Sequence, residues 1–165
     1  MNTENITENK IQLADDLHTV SGYIARFDDK YFDGSEHKAS MYEAWLKDFD
    51  ERGIAIPLLW LHSSMPQGGR PIGAMKEWAM DEKGIYCTFQ LSDTPFVRDE
   101  VIPSIQSGAM THFSTEESDG DERVILAVAL VPIGNAINAR VEEMNKAKAA
   151  EETKPERVAF KQWLY

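Results

Sequence analysis

The sequence predicts an α+β domain in which short strands and a few helices share one chain. Residues 56–61 form an almost unbroken apolar run, which is typical of a strand buried on both faces, and this central strand is predicted over residues 54–62. Two further strand patterns, residues 71–80 and 85–91, flank the turn residues 81–84, and this arrangement predicts a hairpin. Residues 37–52 place their large apolar side chains at helical spacing, and Gly53 is the expected end of this helix. Together these patterns favour a sheet accompanied by helices.

Length and charge exclude several classes of protein. A chain of 165 residues, 42 % apolar, is long enough for one domain with a real core. The net charge of −11 argues against nucleic acid or an anionic membrane as the main partner. No apolar run approaches the roughly 20 residues of a membrane span, and the start of the chain lacks a secretory pattern. The single cysteine, Cys87, lies in a strand pattern, so we expect a packed residue in a reducing, cytoplasmic setting.

The chain divides into three parts. Residues 1–16 are polar and are predicted to be a flexible N-terminal segment. Residues 17–143 form the predicted domain, beginning with a strand at 17–27. Residues 144–165 hold the end of a predicted helix, 138–152, and a tail. The tail ends in large apolar side chains, which predicts that it docks on its own domain or binds a partner.

The second half of the domain has clear boundaries. Thr94 followed by Pro95 is a helix start, and the helix is predicted over residues 96–105 with Gly108 closing the unit. Residues 110–114 predict a short strand, 115–123 an acidic loop, and 124–131 a buried strand.

His62 and Ser114 are the candidate catalytic pair. Each stands at the end of a predicted strand, where packing holds a side chain that still reaches solvent. The imidazole titrates near neutral pH and can take and return a proton. A serine hydroxyl becomes a good nucleophile when such a base removes its proton. Sequence alone leaves open whether the two meet, because such partners are neighbours in space and not along the chain.

The order of four motifs resembles the prohead maturation proteases of tailed bacteriophages, which are similar in fold to the herpesvirus assemblins. The motifs are Leu59-Trp60-Leu61-His62 with Pro71-Ile72-Gly73, then Asp81-Glu82-Lys83-Gly84-Ile85, then Gly108 to Ser114, and last Ala127 to Pro132 with Asn135. The resemblance covers about residues 17–143, most of the chain.

This resemblance implies a small closed β-barrel flanked by helices. It implies a serine endopeptidase with His62 as the base and Ser114 as the nucleophile, needing no cofactor. The expected substrates and partners are the scaffolding protein, the major capsid protein and the chain itself, and self-association is a further expectation. The expected location is the host cytoplasm, inside the assembling procapsid. The rival interpretations are a non-catalytic capsid-assembly module of the same fold and a cellular peptidase of similar fold.

Ala127 departs from the family pattern. The resemblance places the third member of the triad there, an acid in the phage enzymes and a second histidine in the herpesvirus enzymes. Three explanations stay open: a Ser-His dyad or an acid borrowed from 116–122, a natural pseudo-protease, or a deliberately inactivated chain. Glu116 and Glu117 are the first candidates for a borrowed acid. Because alanine cannot orient the imidazole, the chain is expected to be at best a slow protease, and Ala127→Glu or Ala127→His is expected to raise its rate at least tenfold.

The other three histidines are weaker candidates for the catalytic site. His112 lies two residues before Ser114, so on a strand it points to the same face and is an accessory candidate. His18 and His37 lie in polar stretches and are predicted to be on the surface. No metal site is expected, because the sequence has neither a His-Glu-x-x-His pattern nor paired cysteines.

Overall fold

The computed structural model describes residues 11–28, 31 and 34–132. These residues form one seven-stranded sheet that curls into a half-barrel, with two short helices beside it, so the α+β class is confirmed. The predicted helix 138–152 and the tail lie outside the described residues. The three-part division of the chain stays a prediction.

The strands follow the order β1-β2-β5-β4-β3-β7-β6 across the sheet. Their bounds are β1 Gln12–Leu13, β2 Thr19–Arg26, β3 Pro57–Trp60, β4 Arg70–Met80, β5 Gly84–Leu91, β6 His112–Glu117 and β7 Ile125–Val131. All neighbours are antiparallel except β3 and β7, which are parallel.

The two edges of the described sheet approach each other without forming a ladder. The edge strands are β1 and β6. One backbone hydrogen bond, 2.9 Å from the Ile11 N–H to the Thr111 carbonyl, links their ends. Closure into a full barrel therefore stays a prediction.

The central strand β3 is buried as predicted, but it is shorter than the predicted 54–62. Leu58 is fully buried and Leu59 nearly so, although they face opposite sides of the sheet. The predicted hairpin of β4 and β5 is confirmed. Because β3 ends at Trp60, His62 lies in the loop that follows and not on the strand itself.

Both helices end close to the predicted residues, but the first begins at Glu43 and not at the predicted residue 37. Helix α1 covers Glu43–Arg52 and is preceded by a 3₁₀ turn at Ala39–Met41. Gly53 ends α1 in the left-handed region at φ 62°, as expected of a glycine stop. A wide turn at Val97–Val101 leads into α2, Ile102–Gln106. The Thr94 hydroxyl caps the start of the wide turn by accepting the Val97 N–H at 3.2 Å.

The core cluster draws side chains from nearly every element of the sheet and from the helices beside it. Phe89 from β5 and Phe113 from β6 meet edge to face with ring centroids 5.0 Å apart. Cys87 is fully buried, which confirms that it is a packed strand residue, and burial raises the pKa of its thiol. Such a buried thiol is protonated at neutral pH and unsuited to act as a nucleophile.

Two local predictions are wrong. Residues 115–117 continue strand β6 and do not belong to the acidic loop, because they pair with β7. His37 is 5 % exposed and not on the surface, because its ring stacks beside Tyr42 and contacts that hydroxyl. His18 is exposed as predicted.

Candidate active site

The loop after β3 holds His62 in a fixed position. Leu61 adopts a left-handed φ of 59°, an unfavourable conformation for a residue with a side chain. Its N–H donates to the Leu130 carbonyl at 3.1 Å, which ties the loop to β7. The His62 carbonyl accepts the Met65 N–H at 2.9 Å. Gly68 packs so closely that an added Cβ would lie 1.9 Å from the His62 carbonyl oxygen.

Ser114 reaches His62 from the edge strand β6. It is the cross-strand partner of Ala129, and β7 also pairs with β3, the strand that leads to His62. The His62 Nε2 lies 2.9 Å from the Ser114 Oγ, which is a hydrogen-bond distance. When the ring proton is on Nδ1, the hydroxyl donates to Nε2, the arrangement that a general base requires.

Glu116 lies on the other side of the His62 ring. Its Oε1 is 3.4 Å from Nδ1, so the imidazole stands between a carboxylate and a serine hydroxyl. Ser114 and Glu116 are two residues apart on β6 and therefore share one face of the sheet. The His62 and Glu116 side chains are 29 % and 22 % exposed, so solvent or a substrate reaches the group.

Ser63 binds the same carboxylate with two donors. Its backbone N–H donates to Glu116 Oε1 at 2.6 Å, and its hydroxyl donates to Oε2 at 2.8 Å. Partial burial alone would raise the pKa of Glu116, but the two Ser63 donors and the adjacent His62 outweigh it and hold the pKa below its ordinary value. Glu116 is therefore ionised at neutral pH.

Ala127 is the cross-strand partner of Glu116 and is buried. Cross-strand partners lie on the same face of a sheet, so Ala127 belongs to the face that carries Ser114 and Glu116. The position that the resemblance assigned to the third triad member thus lies directly beside an acid on the neighbouring strand.

The other two accessory candidates lie in different surroundings. His112 is buried, and its Nδ1 is 2.7 Å from the Thr111 hydroxyl, which in turn donates to the Pro132 carbonyl. Glu117 follows an irregularity in the β6–β7 register and enters a separate polar cluster. There its carboxylate accepts hydrogen bonds from Tyr42 at 2.9 Å and Arg123 at 3.0 Å.

The role of Ser63 and the cluster around Glu117 did not emerge from the sequence. One signal could have separated Glu116 from Glu117. If β6 is extended past Ser114, the alternation of strand side chains places Glu116 on the face of Ser114 and Glu117 on the opposite face. The Ser63 contact depends on the conformation of the loop 61–69, which leaves no periodic pattern.

Comparison with known families agrees with this geometry. Residues 4–118, more than half of the chain, match the Caudovirus prohead serine protease family. The chain therefore belongs to the prohead serine protease family of tailed bacteriophages. The matched range includes His62, Ser114 and Glu116 and stops before Ala127. No curated protein matches the chain.

Membership of this family indicates a serine protease that acts in phage capsid maturation, within the procapsid in the host cell. It also indicates interaction with phage capsid and scaffold proteins in general. Within residues 11–28, 31 and 34–132, no helix is long and apolar enough to cross a membrane. The same residues contain no cluster of three or more potential metal ligands.

Proposed function

We propose that the chain is an active serine endopeptidase with Ser114 as nucleophile, His62 as general base and Glu116 as the residue that orients His62. The observation that supports it is that His62 contacts the other two residues through its two ring nitrogens. Nε2 lies 2.9 Å from the Ser114 Oγ, and Nδ1 lies 3.4 Å from the Glu116 Oε1. On this proposal the acid stands on β6, and Ala127 is its neighbour and not a missing catalytic group.

The reaction proceeds in two stages. Ser114 Oγ attacks the carbonyl carbon of the scissile peptide while His62 Nε2 takes the hydroxyl proton. The same nitrogen gives that proton to the departing amine, the C–N bond breaks, and an acyl-Ser114 ester remains. Water then attacks the ester with His62 again as base, which releases the new carboxyl terminus and restores the serine.

Glu116 contributes to both stages through the ring. The carboxylate accepts the Nδ1 hydrogen bond and so keeps the other nitrogen free to receive the serine proton. It also stabilises the imidazolium that forms after the transfer. The present distance of 3.4 Å is long for a hydrogen bond, and we expect it to shorten when the ring becomes charged.

The proposed substrates are the scaffolding protein, the major capsid protein and the chain itself, cleaved inside the procapsid. Self-association is proposed as well. The family indicates capsid and scaffold proteins in general, and the substrates named here are the specific form of that role that we propose for this chain.

Labelling with a fluorophosphonate tests the proposal without knowledge of the cleavage site. We expect one adduct per chain on Ser114 in the wild type and none in Ser114→Ala, with strongly slowed labelling in His62→Ala. A folded wild-type protein that forms no adduct between pH 6 and 9 would contradict the enzyme and favour the non-catalytic assembly module. Co-expression with the scaffolding protein then shows whether labelled protein also cleaves it.

A further inference from the structure

Ser63 donates hydrogen bonds to both oxygens of the Glu116 carboxylate, which also contacts His62. We propose that Ser63 is a positioning residue of the active site, which acts on His62 through Glu116. This inference rests on the proposed function and adds a fourth residue to the chain of contacts from Ser114 through His62 to Glu116.

The contact pattern leaves the carboxylate one orientation. The Ser63 N–H binds Oε1 at 2.6 Å and the Ser63 hydroxyl binds Oε2 at 2.8 Å. The terminal torsion of a glutamate is otherwise broad, so a free carboxylate samples many rotations. The two hydrogen bonds from Ser63 restrict that rotation and keep Oε1 at 3.4 Å from the His62 Nδ1.

The position of Ser63 is itself fixed by the loop around it. Ser63 follows His62 directly, so its N–H and the imidazole extend from adjacent residues of one backbone. Gly69, at φ 83°, closes the loop against Ser63, since an added Cβ there would lie 3.1 Å from the Ser63 Cα. The Gly69 N–H also donates to the Trp60 carbonyl at 3.0 Å, which anchors the loop to the end of β3.

This arrangement lets one short segment place both the base and the acid. The two Ser63 donors also favour the ionised form of the Glu116 carboxylate. In this form both oxygens are hydrogen-bond acceptors, so Oε1 can accept the Nδ1–H of His62. The Ser63 hydroxyl therefore matters to the chemistry although it contacts neither the serine nucleophile nor the base.

Two readouts in the full-length protein test this role. The first is the titration of the Glu116 carboxyl followed by ¹³C NMR, and the second is the rate at which a fluorophosphonate labels Ser114. The variants are Ser63→Ala, which removes only the hydroxyl, Ser63→Thr, which keeps it, and Ser64→Ala as the matched control in the same loop. Ser64 is exposed like Ser63, so the two truncations impose a similar change on the surface.

We expect Ser63→Ala to raise the pKa of Glu116 and to slow labelling by about tenfold, the equivalent of one charge-assisted hydrogen bond. Ser63→Thr should restore both values, and Ser64→Ala should change neither. In a Glu116→Ala background, Ser63→Ala should cause no further loss, because the residue acts only through Glu116.

An unchanged labelling rate in Ser63→Ala would overturn the inference, and so would a further loss in the Glu116→Ala background. Labelling of the wild-type protein distinguishes failure of this inference from failure of the proposed function. If wild-type Ser114 is not labelled, the catalytic role of the whole group falls, whereas the titration of Glu116 still reports whether the Ser63 contact exists.

Discussion

Glu116 and Ala127 are cross-strand partners on the face of the sheet that carries Ser114. A carboxylate from β6 therefore lies beside the position on β7 where the family resemblance places the third triad residue. The Glu116 Oε1 lies 3.4 Å from the His62 Nδ1, so on the proposed function the acid comes from β6, the strand that also carries Ser114.

Replacing Glu116 by Gln should slow the labelling of Ser114 by about 10² to 10⁴-fold. The amide keeps the size of the side chain but removes the charge that stabilises the imidazolium and fixes the ring tautomer. The rate of fluorophosphonate labelling at pH 7.5 measures the effect. Glu122→Gln, an exposed acid in the following loop, is the control and should label at the wild-type rate.

Adding an acid at residue 127 should raise the labelling rate only in a protein that lacks Glu116. In the wild type, Ala127→Glu should bring no gain, because it places a second negative charge beside Glu116. In a Glu116→Ala background the same change should restore labelling by tenfold or more. A clear gain in the wild type would mean that Glu116 does not orient His62.

Ser114→Ala should abolish labelling and scaffold cleavage with little change in stability. The hydroxyl is half-buried and its described hydrogen bond is to His62, so its loss leaves a ring nitrogen that water can reach. A shift in melting temperature within about 2 °C is expected, which corresponds to less than 1 kcal/mol for a chain of this size. A drop of many degrees would indicate that Ser114 serves packing.

The free energy of unfolding should depend on pH through Glu116. Its pKa is lower in the folded protein than in the unfolded chain, so the unfolded state binds more protons in the acid range. The resulting stabilisation is complete above the unfolded pKa near 4.3 and is lost as the pH falls through the lower, folded pKa. Urea unfolding of the wild type and Glu116→Gln between pH 3 and 7 should show a flatter acid limb in the variant. If the free energy of unfolding depends on pH in the same way in both proteins, the lowered pKa of Glu116 is contradicted.

Glu117 should be a stability residue and not a catalytic one. Its carboxylate is buried with Arg123 at 3.0 Å and Tyr42 at 2.9 Å, and the His37 ring is 3.7 Å away. Glu117→Ala leaves the guanidinium without this partner, and we expect a loss of about 2–4 kcal/mol in the free energy of unfolding. Glu122→Ala should cost less than about 0.5 kcal/mol. A stable Glu117→Ala protein with slowed labelling would reverse this assignment.

The sequence predicted those parts of the fold that have a local cause. The apolar run of β3, the hairpin turn before β5 and the glycine at residue 53 each produce a pattern within a few residues. The predicted meeting of His62 and Ser114 depended on the family resemblance, since 52 residues separate them along the chain.

The errors occurred where long-range contacts override local polarity. Residues 115–117 look like the start of an acidic loop, but pairing with β7 makes them strand. His37 lies in a polar stretch, yet the Glu117 carboxylate and the Tyr42 ring make its burial favourable. The Ser63 contact was equally hidden, because it depends on the left-handed turn at Leu61.

Gly68→Ala should disturb the active site through the backbone alone. Gly68 is not in the left-handed region, so alanine is opposed only by space: its Cβ would lie 1.9 Å from the His62 carbonyl oxygen. Since that neighbour is backbone, the loop must shift, and we expect labelling of Ser114 to slow by tenfold or more with about 1–3 kcal/mol of lost stability. Gly53→Ala is the contrasting control, because its φ of 62° is unfavourable for alanine while nothing lies within 4 Å of the added Cβ. The control should lose about 1 kcal/mol of stability and label Ser114 at the wild-type rate. If both variants label normally, the position of His62 does not depend on the close packing of Gly68.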